Sequence, residues 1–447
     1  MSRFAVVSPP FHSHAQPMSV FATALSRAGA REVTFACGPE FAGLAPELPF
    51  AAMRTTRDSN SGIAERTEQD ARSAQQLTDF LVATQGGAAA ALLAQTRRRR
   101  AEPLADPGQV LHHLAALHER LRPDWYVVDQ IDYATTLALH ALDLPFVSFV
   151  TGHPTYLVAR DNQFFGLPQA WPSAVRVPPA ELAELAAEVR QTDLAFTASY
   201  TRFLREAAPS RPVPRRAFAL TSSRAAVVNY PDLPWLPPLP QQQRQIFLGH
   251  CTTPAELDDV WLDRVRGRRV LLVALGTFLS ARHDVLRKVV EGALRIPDLT
   301  VVVAAGGRVA ELADLAENPR VVLESVVPQR ALLPHVAAMV HHGGNNSFTE
   351  CLAAGVPAVV LPFSSDQFAI AHDAERSGAG VCLDPNAATP EDVTAALGSV
   401  LREENPFAQL RDAVRAAGPD RGAEQLLAAL DARPQAPSVP PRLLRPS

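Results

Sequence analysis

Residues 326–367 read VVPQRALLPHVAAMVHHGGNNSFTECLAAGVPAVVLPFSSDQ. Apolar Ala338-Met339-Val340 marks the end of a buried strand, His341 to Ser347 a tight glycine turn, and Phe348 to Ala354 a helix that Gly355 stops. A strand, a glycine turn and a helix in that order present free backbone N–H groups and the positive end of a helix dipole to an anion, and phosphate is the expected one.

The same grammar extends outward in both directions. Val270–Leu275, Thr300–Ala305, Val321–Leu323 and Ala358–Leu361 are short apolar runs of the kind found in parallel strands buried on both faces. In the first half Phe4–Ser8, Glu32–Cys37 and Trp125–Asp129 read as strands, and Pro17–Ala28 and Tyr133–Leu142 as helices. Strands alternating with helices imply right-handed βαβ units. The fold class is therefore α/β, with two doubly wound parallel-sheet domains facing a cleft.

The first domain is expected over 1–229 and the second over 244–432. Tyr230–Gln243, with five prolines and a glutamine run, reads as a stiff linker. Arg54–Arg72 and Thr151–Pro172 fit neither sheet and are expected to recognise a substrate. The proline-rich stretch 433–447 is expected to be a disordered tail.

Composition narrows the function. A chain of 447 residues exceeds one compact core, and 47% hydrophobic with 20% charged residues is ordinary for a globular protein. A net charge of −4 argues against nucleic acid as a partner. The first residues hold no apolar run long enough for a signal peptide or a membrane span, so a cytoplasmic location and no membrane partner are expected. Cys37, Cys251, Cys351 and Cys382 are widely spaced and read as free buried thiols, without a zinc site. The basic run Arg97–Arg100 ends an alanine-rich helical stretch, where cations suit the dipole.

Candidate chemistry lies at the carboxyl ends of the strands, which border the ligand crevice in an open α/β sheet. His14 follows the first strand and is a candidate general base. Asp129 ends the Trp125–Val128 run and could fix the His14 tautomer; Asp132 is its rival. In the second half, Gly276 and Thr277 close a strand where a phosphate could be met. His342 and the turn residues Gly344, Asn345, Asn346 and Ser347 offer further donors, Glu350 an acceptor for ribose hydroxyls, and Asp366 with Gln367 partners for a sugar. No GxGxxG follows the first strand, no GxxxxGK[ST] occurs, and no Asp-x-Asp is present to hold a metal on a nucleotide sugar.

Val327-Pro328-Gln329, Leu333-Pro334-His335, His342 to Ser347, Glu350, Gly355-Val356-Pro357 and Asp366-Gln367 resemble, in order and spacing, the donor signature of family-1 UDP-glycosyltransferases. His14 with Pro17 resembles that family's catalytic histidine motif, and Leu275-Gly276-Thr277 its first C-domain strand. The resemblance implies a GT-B fold and a bacterial specialised-metabolite enzyme of macrolide type. It also implies inverting transfer without metal or other cofactor from a nucleotide sugar to a small-molecule acceptor, by a monomer or homodimer. His14 would deprotonate an acceptor hydroxyl, with Asp129 supporting it. Ser13 replaces the family's usual glycine, and Val326 stands where plant members stack uracil on tryptophan, leaving base recognition to apolar contact and Gln329. Glu350 favours a UDP-hexose over a TDP-deoxysugar, because thymidine diphosphate lacks the ribose 2′-hydroxyl. Phe11, Ser13, Tyr156, Phe164, Phe165 and Trp171 are the expected acceptor contacts and suggest an apolar or aromatic acceptor. A UDP-sugar epimerase and a non-catalytic GT-B binding protein are the competing readings.

Overall fold

A computed structural model describes residues 2–55, 71–101, 104, 106–239, 243–402 and 407–431. Arg54 and Thr55 apart, the expected irregular stretch up to Asp70 lies outside these residues, as does the expected tail 433–447.

The first half builds a seven-stranded sheet from β1 (Arg3–Val7), β2 (Glu32–Cys37), β3 (Phe50–Ala52), β4 (Trp125–Asp129), β5 (Phe146–Val150), β6 (Ala225–Val228) and β7 (Arg244–Phe247), ordered β3-β2-β1-β4-β5-β6-β7. Its helices are α1 (His12–Arg27), α2 (Ala71–Gln85), α3 (Ala88–Ala101), α4 (Pro107–Leu121), α5 (Tyr133–Ala141) and α6 (Pro179–Ala207). The second half builds a six-stranded sheet ordered β10-β9-β8-β11-β12-β13, from β8 (Arg269–Ala274), β9 (Leu299–Ala304), β10 (Val321–Glu324), β11 (Ala338–His341), β12 (Ala358–Val360) and β13 (Gly380–Cys382). With it come α7 (Asp259–Val265), α8 (Gly276–Leu279), α9 (His283–Leu294), α10 (Gln329–Leu332), α11 (Asn345–Ala354), α12 (Gln367–Ser377), α13 (Pro390–Val400) and α14 (Ala408–Asp431). Every ladder is parallel, as the near-continuous apolar strands require, and each sheet is buried between helices.

The structure differs from the expectation at four points. Arg244–Phe247 pairs with β6, so it completes the first sheet instead of opening the second domain at 244. The proline-rich segment before it is no free spacer: Tyr230, Leu233 and Leu239 are buried, and Tyr230 and Trp235 both donate to Asp373 of α12. The first helix begins at His12, not Pro17, and carries the proline inside it. The helix after the glycine turn begins at Asn345, not Phe348, because extended Gly344 already serves as its N-cap. Gly355 ends that helix in the left-handed region, at φ 77°, as a glycine stop should.

The two halves share one apolar seam, in which Val150, Val228 and Tyr230 cluster with Phe348, Val360 and Phe368. The last helix, α14, returns to α1, with Arg27 paired to Asp420. The basic run on α3 pairs with α6, Arg97 to Glu184 and Arg100 to Glu188.

Candidate functional site

The carboxyl edge of the first sheet sets the site. Register places the ends of β1, β4, β5 and β6 side by side, so the residues that follow them emerge along one line. Asp129 is fully buried and its Oδ2 lies 2.8 Å from His14 Nδ1. Thr151, just after β5, donates to the same carboxylate oxygen at 3.1 Å and sits 2.8 Å from His14 Nδ1. Asp129 Oδ1 accepts from the Ile131 amide, which fixes the carboxylate plane. In its neutral form His14 can turn an Nδ1 proton toward Asp129 and present Nε2 as the acceptor, and about a fifth of its side chain (19%) reaches solvent.

Burial lowers the His14 pKa, but the charge and hydrogen bond of Asp129, with Asp366 and Asp132 behind them, outweigh it and leave the value raised. Asp132 serves a different purpose, because it caps α5 by accepting from the Thr135 amide. Burial lifts its pKa to about 6 against the bonds from Thr55 and Thr135.

Across the cleft stands the glycine turn. His341 Nδ1 accepts from the Gly343 amide and holds the turn; burial and neighbouring His342 push its pKa down to about 3. His342 is also kept neutral, at about 4, by burial that the Ala274 carbonyl only partly offsets. Its Nδ1 is buried without a hydrogen-bond partner among the described residues. Two glycines make room for the ring: a Cβ on Gly276, whose φ is 78°, would meet His342 Cε1 at 2.9 Å, and one on Gly344 would overlap Nε2. No side chain caps α11, so its first amides and the neutral His342 form a small anion-receptive corner. The side chain of Thr277, expected there too, lies outside the described residues.

The other expected donor contacts divide. Gln329 Nε2 donates to Glu350 at 2.7 Å and lies 3.4 Å from Ser347 Oγ; Val326, three residues before Gln329 in the chain, is 61% exposed. Burial raises the Glu350 pKa against the pull of Gln329 and Arg330. Asp366 accepts from the His153 amide of the other half. Gln367 turns its carbonyl inward to the Phe363 and Ser364 amides, so that group serves the loop. The side chains of Asn345 and Asn346 bond the first half, at Thr151, Asn229 and Ser13, while their backbone amides stay at the start of α11.

Of the expected acceptor aromatics, Phe11 stays at the site, edge-on to His14 at 6.0 Å, with exposed Ser13 next to it. Phe165 is core, packed with Tyr133, Phe196 and Phe218. Phe164 lies under Arg216, and Trp171 packs at a tilt on Phe368 across the seam, with ring centroids 5.0 Å apart. Tyr156 bonds Ser365 at 2.7 Å. The crevice that Tyr156, Phe164 and Phe165 share with Arg99 and Asp366 holds ≈ 20 Å³, about one water.

Sequence reasoning missed Thr151, Asn229 and the Asp373 cluster. The first two could have been found by the rule that found Asp129, since both directly follow parallel strands. Asp373, buried on α12, accepts from Tyr230 and Trp235 and meets His153 Nε2 at 3.0 Å, a convergence no local pattern encodes.

Residues 287–419 match the family model of the erythromycin biosynthesis protein CIII-like C-terminal domain. Over 310 residues the chain is 30% identical to demethyllactenocin mycarosyltransferase of Streptomyces fradiae; the alignment takes in 66% of this chain and 61% of that protein, so the match spans less than two thirds of its relative. The solved glycotransferase of kitacinnamycin aligns with 96% of this chain and 99% of its own, with a TM-score of 0.66 at 23% identity. The glycosyltransferase VinC in complex with DTDP aligns with 96% and 99%, with a TM-score of 0.62 at 20% identity. At these identities the solved structures show the fold. Among the described residues no helix is long and apolar enough to cross a membrane.

Proposed function

We propose that the chain is a GT-B glycosyltransferase of the bacterial natural-product type, and that it moves a sugar from a nucleoside diphosphate to a hydroxyl of a small apolar acceptor, with inversion and without a metal; the family match and the similar transferases support the reading. The observation that carries the reading is the His14–Asp129 pair at 2.8 Å, set opposite the uncapped start of α11.

In this mechanism His14 Nε2 takes the acceptor proton while the acceptor oxygen bonds the anomeric carbon. The bond from that carbon to the diphosphate breaks on the far side, and the leaving charge meets the α11 amides and His342. Asp129 and Thr151 keep the proton on Nδ1 and stabilise the imidazolium as it forms. A buried base fixed on both sides loses little orientation freedom at the moment of attack, which is worth several kcal/mol of barrier. His342, neutral at pH 7, contributes a hydrogen bond instead of a full charge, so the helix start carries the larger share. A cytoplasmic setting belongs to the same proposal and agrees with four free, buried cysteines.

For the donor, a thymidine diphosphate sugar ranks first. The mycarosyltransferase relative and the DTDP-bound neighbour support it, and Glu350, the reason to favour uridine, already holds Gln329. A UDP-hexose is the second reading, supported by the carboxylate of Glu350 on α11, an acceptor for ribose hydroxyls. Calorimetry with both nucleotides, followed by mass spectrometry of products from an acceptor panel, decides between them. Binding of neither nucleotide removes the proposal, and UDP alone reverses the order.

A further inference from the structure

Pro17 lies four residues after Ser13 inside α1. A proline at that position has no N–H for the Ser13 carbonyl, and its ring pushes that carbonyl out of the helix. The freed oxygen accepts from Asn346 Nδ2 of the other half at 2.9 Å. Next to it, Asn345 Nδ2 donates twice across the cleft, to the carbonyls of Thr151 at 2.9 Å and Asn229 at 2.8 Å, and Asn229 Nδ2 reaches back to Asn346 Oδ1 at 3.3 Å. Ser13 is the neighbour of His14, and Thr151 bonds both His14 and Asp129. The first two residues of α11 are thus tied by side-chain amides to the residues that flank the base.

We propose that Asn345 and Asn346 are positioning residues: they register the start of α11 against Ser13 and Thr151, so that the His14–Asp129 pair is fully aligned only when the cleft is closed. The inference rests on the transferase reading and assigns these side chains to closure instead of donor binding. Among the described residues three carboxylates act on the charge of His14: Asp129 and Asp132 from its own half and Asp366 from the other. Closing the seam keeps Asp366 near the imidazole, and loosening it removes that support.

The test uses the full chain with Asn346→Ala, Pro17→Ala and the double variant. Pro17→Ala touches no donor group; it gives the helix an N–H that competes with Asn346 for the Ser13 carbonyl. Histidine-selective NMR of the unliganded protein, with the His14 signal assigned by its absence in His14→Ala, should show the His14 pKa falling in both single variants and no further in the double. In turnover, losing one such bond should lower kcat about tenfold in each single variant with donor KM within about twofold, again without addition in the double. An unmoved His14 pKa in Pro17→Ala overturns the inference. So does a rise in donor KM at unchanged kcat in Asn346→Ala. Wild-type protein that turns over no nucleotide sugar refutes the transferase reading, while the NMR arm still decides the seam.

Discussion

Asp129→Asn is the most informative single change. The carboxylate is fully buried and 2.8 Å from His14 Nδ1, and the amide that replaces it has nearly the same shape. What is lost is one charge and the preference for a proton on Nδ1. Opposite charges about 4 Å apart attract by ~4 kcal/mol at an effective dielectric constant of 20, which corresponds to about a thousandfold in rate if the imidazolium forms in the transition state. Part of that attraction offsets desolvation already present, so a loss of about 10²- to 10³-fold in kcat/KM is expected, within the usual range for a general base. The pH profile should move as well. Burial pulls the His14 pKa down and Asp129 holds it up, so without the carboxylate the acid limb of kcat/KM shifts to lower pH. The variant would then be slower at every pH yet keep its plateau further into acid. Initial rates across pH with saturating donor measure both effects. An unshifted limb, or activity within a few-fold of wild type, would refute the assigned role.

Gly344→Ala places a methyl group on the His342 ring and should weaken nucleoside diphosphate binding by about tenfold or more in calorimetry, with the fold retained because Gly344 is already at φ −65°. Glu350→Gln should leave a thymidine diphosphate donor almost untouched and raise KM only for UDP-sugars; steady-state kinetics on both donors reads the difference. Asp373→Asn tests the seam's buried acid. Burial would raise the Asp373 pKa, but bonds from His153, His372 and Trp235 outweigh it and hold the carboxyl well below its ordinary value. Its contribution to stability is full above about pH 4 and fades as the pH falls toward the folded value. The variant should therefore melt lower at pH 7, by the equivalent of about 2 kcal/mol, with the gap narrowing as the pH falls below about 4. Melting curves at pH 7 and 3 check it; a gap that widens in acid has the wrong sign.

Much of the fold is legible in the sequence because parallel strands buried on both faces must be continuously apolar, and runs such as Val270–Leu275 and Thr300–Ala305 have no other reading at that length. The carboxyl-edge rule then brings His14 and Asp129 to one line before any contact is known. Boundaries are less legible. Arg244–Phe247 is polar at its start, so its pairing with β6 depends on a neighbouring strand instead of its own pattern. Pro17 reads as a helix start because proline suits the first turn; only the partner carbonyl of Asn346 explains a proline five residues further in. The aromatics of residues 156–171 are less legible for a related reason: sequence cannot tell a ring held for a ligand from one packed on Phe218 or Phe368.

The most direct measurement is a single-turnover comparison of wild type and His14→Ala, with a thymidine diphosphate sugar and an accepted hydroxyl compound, following glycosylated product and free nucleoside diphosphate together. The expected result is stoichiometric formation of both in wild type, and their joint loss by at least about a hundredfold in the variant at unchanged donor affinity. Product formed at the wild-type rate without His14 would contradict the proposed mechanism.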